Sequence, residues 1–220
     1  MNYSLLKDVI DLVSQFESEN EDSSFANDVN GFKEWIISSE NKHLIPQNFT
    51  YEGKENGRSL ESVISTFLIH LGRYAKMYSK SAIHDSIFST QDEFIFLITL
   101  KTFGAMSKMD LIKRNIHDKP GGMQIISRLL ANDLVVQEND PVDKRSKIIS
   151  ITEKGINSLD AQMFQIRQAT KIVSGNLTEQ EKIHLVYLLN KLEDFHSPIY
   201  AKNLETKELL NVVQTEYFEN

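Results

Sequence analysis

The chain predicts a mainly α-helical fold that carries one small β-hairpin. Two observations point there. Apolar residues recur at i, i+3, i+4 spacing through most of the 220 residues, the mark of amphipathic helices. Only once, over 134–151, do β-branched runs flank a turn cluster. Hydrophobic content of 40% and charged content of 25% suit a chain that buries a sizeable core in one or two domains.

The elements follow in order. Leu5, Leu6, Val9, Ile10, Val13 and Phe16 lie on one face of a helix over 3–19. Residues 17–24 are polar and acidic, a loop. Phe25, Val29, Phe32, Trp35 and Ile36 mark a second helix over 25–39. Residues 41–57, with Pro46, Gly53 and Gly57, read as a connector. Two short amphipathic helices are too small to form a core alone, so this segment is expected to pack on the rest of the protein or on a partner subunit. A long helix over 59–83 follows, with Ser59 as its cap and Ile64, Phe67, Leu68, Leu71, Tyr74 and Tyr78 on its stripe. Thr90 and Glu93 match a capping box for a helix that runs to Phe103.

Ser107 and Asp110 start a short helix that ends near Ile116. A turn over 117–122, containing Pro120 and Gly121-Gly122, leads to another helix that ends at Asn132. Its inward residues are Met123, Ile126, Leu129 and Leu130. The hairpin comes next. Leu134-Val135-Val136 leads in, Asn139, Asp140, Pro141 and Asp143 form the turn, and Ile148, Ile149 and Ile151 lead out. Thr152 caps a helix over 153–174. Gly175 separates it from one over 178–197, where Thr178 and Glu181 form a capping box and Pro198 is the stop. The tail, 203–220, is amphipathic and reads as a further helix.

Two short helices joined by a tight turn and followed by a basic hairpin is the winged helix-turn-helix order. In such a unit the second helix enters the major groove, and its first turns read base edges. Lys119, Gln124, Ser127 and Arg128 are the candidates on that helix. Gln124 suits adenine, and Arg128 suits guanine or phosphate. Lys144, Arg145 and Lys147 are the candidates at the hairpin tip, where Asp143 can hydrogen-bond Arg145 and hold it extended. The Gly121-Gly122 pair reads either as a close approach to phosphate or as a loose turn.

The net charge of −7 argues against nucleic acid, but its distribution does not. Residues 1–62 hold five Lys/Arg against twelve Asp/Glu, a balance of −7. Residues 101–147 hold nine against six, a balance of +3. The basic part coincides with the hairpin.

The run Asp143-Lys144-Arg145, the strand Ile148–Ile151 and then Thr152-Glu153-Lys154-Gly155 resembles the wing of the MarR family of bacterial transcription regulators. The resemblance extends from about Leu60 to about Lys202. It implies a homodimer that binds double-stranded DNA at a pseudo-palindromic operator, with the 59–83 helix and the two late helices as dimerisation helices. It also implies a small-molecule effector, and Phe67, Tyr74, Tyr78, Phe94, Phe96 and Phe103 could line its pocket. Core packing is the competing reading for each of these aromatics. The chain then divides into a helical extension (1–58), a MarR-like domain (59–202, with a DNA-binding lobe at about 90–152) and a tail (203–220). The extension is a departure, because family members usually begin near the equivalent of the 59–83 helix.

Other classes find no support. There is no cysteine, hence no disulfide and no thiolate metal site. The six histidines form no ligand motif, so neither a metal nor a cofactor is expected. No Gly-x-Ser-x-Gly, P-loop or Gly-x-Gly-x-x-Gly occurs, and an enzyme is not expected. With no long apolar run and no secretory signal, a cytoplasmic location without a membrane is expected. The competing function is a winged-helix protein-interaction module, which need not keep a basic wing tip.

Overall fold

The computed structural model describes residues 3–20, 24–44, 49–139 and 147–219. It divides into two compact units, Met1–Ser65 and Thr66–Asn220.

The first unit holds α1 (Tyr3–Glu19), α2 (Val29–Leu44), a single 3-10 turn (Lys54–Asn56) and the start of α3 (Leu60–Ala82). The aromatic residues of both helices meet. Phe16 packs against Phe32 and Trp35 at centroid separations of 5.4 and 5.6 Å. The Trp35 indole N–H donates to Glu19 at 3.2 Å. So α2 covers the C-terminal half of the α1 stripe, while Leu5, Leu6, Val9 and Ile10 stay exposed. The second helix starts at Val29 rather than at Phe25. The reason is Asn20, which accepts the Phe25 N–H at 2.9 Å and donates to its carbonyl at 2.8 Å, clamping Phe25 in a loop. Asp28 then accepts the N–H groups of Asn30 and Gly31 at the helix start.

Beyond α3, the second unit holds α4 (Gln91–Phe103), β1 (Met106–Ser107), α5 (Lys108–Arg114), α6 (Lys119–Ala131), β2 (Val135–Asn139), β3 (Lys147–Ile151), α7 (Glu153–Val173), α8 (Glu179–Ala201) and α9 (Thr206–Tyr217). The two strands expected of the hairpin pair antiparallel, with Val135 opposite Ile151 and Asn139 opposite Lys147, and the turn over 140–146 lies outside the described residues. A third strand was not expected. Met106 and Ser107 pair with Ile149 and Ile148, giving the sheet order β1-β3-β2. Two residues are too few to show a period of two, so β1 leaves no trace in the sequence pattern. Leu97, Leu111, Ile126, Leu129, Leu134, Ile149 and Leu159 are completely buried or nearly so, and they join α4, α5, α6, the sheet and α7 in one core.

Thr152 shows why the Thr-x-x-Gly step is built as it is. Its hydroxyl donates to the Asp133 carbonyl at 2.7 Å and accepts the Gly155 N–H at 3.0 Å. A Cβ on Gly155 would lie 2.1 Å from the Leu134 carbonyl oxygen, so only glycine lets α7 pass this close to β2. The capping box at Thr178 and Glu181 is formed in full. Pro198 does not stop α8, which continues to Ala201. Ile199 is buried and Tyr200 is hydrogen-bonded to a distant carbonyl, and these anchors hold the last turn despite the backbone bond that proline forfeits. No helix of the described residues is long and apolar enough to cross a membrane.

Candidate nucleic-acid interface

The helix-turn-helix is α5, a four-residue turn and α6. Ser107 caps α5, accepting the Asp110 N–H at 3.1 Å and donating to its carboxylate at 2.7 Å. The helix closes at Arg114, two residues before the expected end. Ile116 adopts a left-handed φ of 50°, and the N–H groups of Ile116 and His117 return to the carbonyls of Lys113 and Ile112. Asp118 caps α6 by accepting the Gly121 N–H at 2.8 Å. That N–H, more than the neighbouring His117, holds the Asp118 carboxyl below the usual aspartate range. Residues 119–122 are therefore the first helical turn and not part of the connection. Pro120 fits there because a first-turn N–H has no intrahelical partner to lose.

The second glycine of the pair serves packing. A Cβ on Gly122 would stand 2.5 Å from the Ile112 side chain, so this glycine brings α6 against α5. Gly122, Ile125, Ile126 and Leu129 form the buried face of α6. Ile125 belongs to the core, whereas Met123 and Leu130 are only partly buried beside it. The opposite face exposes Lys119, Pro120, Gln124, Ser127 and Ala131. Three of the expected contact residues, Lys119, Gln124 and Ser127, thus share one solvent face.

Arg128 stands apart from them. Its Nε donates to the fully buried carboxylate of Glu93 at 2.5 Å, and a terminal nitrogen reaches the Thr90 hydroxyl at 3.5 Å. The guanidinium expected at guanine or phosphate is tied to α4 through its Nε, while the side chain remains partly exposed. Glu93 is correspondingly not a simple capping-box partner. It accepts the Ser89 N–H at 2.8 Å, while the Thr90 side chain makes no cap bond. Nothing local in the sequence joins residues 93 and 128, which are 35 positions apart.

The wing strands are β2 and β3. Lys147 is exposed at the start of β3 and donates to the Asn139 side chain across the ladder. Asp143, Lys144 and Arg145 lie outside the described residues. The aromatic set proposed for an effector pocket separates. Phe94 and Phe96 are core. Phe67 and Tyr74 are exposed, and Phe103 is exposed with Arg114 stacked 3.9 Å above its ring. Tyr78 lines a small cavity of about 230 Å³ with Ser81, Gln165, Gln168 and Ile172. Among the described residues no group of three or more His, Asp and Glu is placed to hold a metal ion.

No family model matches the chain. It is 33% identical over 122 residues to the HTH-type transcriptional repressor NicR of Pseudomonas putida, spanning 56% of this chain and 76% of that protein. Among solved structures, BpsR of Bordetella bronchiseptica, whose DNA binding is regulated by 6-hydroxynicotinic acid, matches with a TM-score of 0.57 and 26% identity over 62% of this chain and 97% of its own. A cysteine-to-serine mutant of E. coli MarR, complexed with operator DNA, has a TM-score of 0.55 at 19% identity over 61% of this chain and 99% of its own, a likeness of fold. With the helix-turn-helix, the wing strands and the long flanking helices all in place, the chain belongs to the MarR family of winged helix-turn-helix transcription regulators, a family of DNA-binding proteins and not of enzymes.

Proposed function

We propose that this protein is a cytoplasmic, ligand-responsive repressor that binds a pseudo-palindromic operator as a homodimer. The observation that carries the reading is the shared solvent face of Lys119, Gln124 and Ser127 on α6, next to the β2–β3 wing. Polar side chains with both donors and acceptors, set on a helix that packs on its apolar side only, suit a major groove. Lys119 adds a sequence-independent phosphate contact. At the wing, Lys144, Arg145 and Lys147 would enter the flanking minor groove, with Asp143 bracing Arg145.

The dimer reading rests on apolar rows that one chain leaves in water. On α3 these are Phe67, Leu68, Leu71 and Tyr74. On α8 they are Ile183, Val186, Tyr187 and Leu192. Burying one such side chain is worth about 1.5–3 kcal/mol, so a second copy is the natural cover. Two α6 helices related by a two-fold axis would then meet successive major grooves roughly 10 base pairs apart. Repression and effector control are carried over from NicR, named a repressor, and from BpsR, regulated by 6-hydroxynicotinic acid. An effector can act only by binding one spacing of the two lobes better than the other.

The test is a titration of duplex DNA at several salt concentrations, beside sedimentation of the free protein. The reading predicts a dimer whose affinity falls steeply and log-linearly with salt. A monomer, or a protein without salt-dependent DNA affinity, would turn the assignment toward a protein-docking module.

A further inference from the structure

The turn between α5 and α6 is strained at Ile116. A β-branched residue at a φ of 50° is a rare conformation, and the usual residue at this point of a helix end is glycine. The left-handed state is disfavoured by roughly 5- to 30-fold for such a side chain. Ile116 is also more than half exposed, so the core does not clamp it. Something else must hold the turn. The Asn115 side chain bonds the Leu111 carbonyl and meets Thr99, and the His117 ring leans edge-on against Phe96, all within the α4–α6 lobe. One further bond comes from far along the chain. The Tyr200 hydroxyl, in the last turn of α8, donates to the His117 carbonyl at 3.0 Å. Around it lies an open cleft of about 860 Å³ between α5, the turn and the end of α8. The Tyr200 bond thus spans an open cleft, beside the buried Ile199 that anchors the same turn of α8.

We propose that Tyr200 is a positioning residue for DNA binding: α8 holds the strained α5–α6 turn through the His117 carbonyl, and this hold sets the aim of α6. The proposal rests on α6 being the DNA-reading helix. Asp118, the α6 cap, directly follows the held carbonyl, so slack at His117 passes to the first turn of α6 and to Lys119. The device also connects the C-terminal helices with the reading face. Any change that lifts the end of α8 would slacken the turn.

Two substitutions in the full-length chain, made singly and together, test it. Tyr200→Phe removes the donor and keeps the ring, and Ile116→Gly removes the strain. The readouts are amide exchange at Ile116 and His117, and affinity for a duplex bound by the wild type. Tyr200→Phe should speed exchange at both amides and weaken DNA binding about 3- to 10-fold, the worth of one neutral hydrogen bond. In the Ile116→Gly background Tyr200→Phe should cost less than about twofold, because glycine takes the left-handed turn unaided. A merely structural tyrosine would cost the same in both backgrounds, and that result overturns the proposal. So does unchanged exchange in Tyr200→Phe. If the wild type binds no duplex, the reading of α6 fails, and the exchange rates still decide whether Tyr200 holds the turn.

Discussion

The Glu93 carboxylate is completely buried and accepts the Arg128 Nε–H at 2.5 Å, fastening the C-terminal half of α6 to the first turn of α4. Removing one partner of such a pair strands the other charge. Arg128→Met should therefore lower unfolding free energy by about 3 kcal/mol, the low end for a broken buried pair because the guanidinium is part-solvated. It should leave the base preferences of the folded fraction unaltered. Urea unfolding and a binding profile of the same variant check both halves. A stable variant with altered base preference would return Arg128 to the reading face.

Two glycines set how closely elements approach. Gly155→Ala drives a Cβ into a backbone oxygen, which cannot move without shifting β2 against α7. Gly122→Ala drives one into the Ile112 side chain, which can change rotamer. Overpacking costs about 1–3 kcal/mol, with the side-chain clash toward the low end and the backbone clash at or above the high end. Chemical denaturation should rank Gly155→Ala as the more damaging. The reverse order would show that the two helices of the helix-turn-helix have less freedom than α7.

These contacts mark where the sequence was legible. The hairpin strands, the Thr152 and Thr178 caps, the Ser107 start and the long helices all follow from local chemistry, and the structure has them. The Arg128–Glu93 pair, the β1 strand and the Tyr200–His117 bond depend on residues 35 to 83 positions apart, so no local pattern announces them. Helix ends shifted where a side chain competed for the backbone, as Asn20 does at Phe25 and Asp118 does at Gly121. Pro198 misled because a tertiary anchor outweighed a local stop signal.

The wing tip is the strongest sequence motif in the chain, and it makes a sharp prediction. Arg145→Ala should weaken operator binding by about 1–3 kcal/mol and leave the unfolding midpoint in place. Lys147→Ala should weaken every sequence alike and reduce the salt slope by about one. Paired affinity and melting measurements distinguish these effects. An Arg145→Ala protein that folds and binds as the wild type does would remove the wing from the interface.

The N-terminal extension is proposed to stabilise the dimer. Its aromatic trio is internally satisfied, yet Leu5, Leu6, Val9 and Ile10 continue the α1 stripe into solvent. At about 1.5–3 kcal/mol for each buried side chain, that row favours a covering surface. Deleting residues 1–55 leaves α3 whole and should shift the dimer toward monomer or aggregate, as read by analytical ultracentrifugation. A truncated chain that remains an equally tight, soluble dimer would show the extension to be dispensable for assembly.

The central claim is that α6 reads bases in a two-fold-symmetric complex, and selection of bound sites from random duplex DNA tests it most directly. The wild type should recover a pseudo-palindrome with half-sites roughly 10 base pairs apart, centre to centre. Gln124→Ala and Ser127→Ala should each relax preference at one or two positions, whereas Lys119→Ala should weaken all sequences without changing the motif. An unstructured or asymmetric motif from the wild type, or identical motifs from the wild type and the Gln124 and Ser127 variants, would contradict base reading by this face.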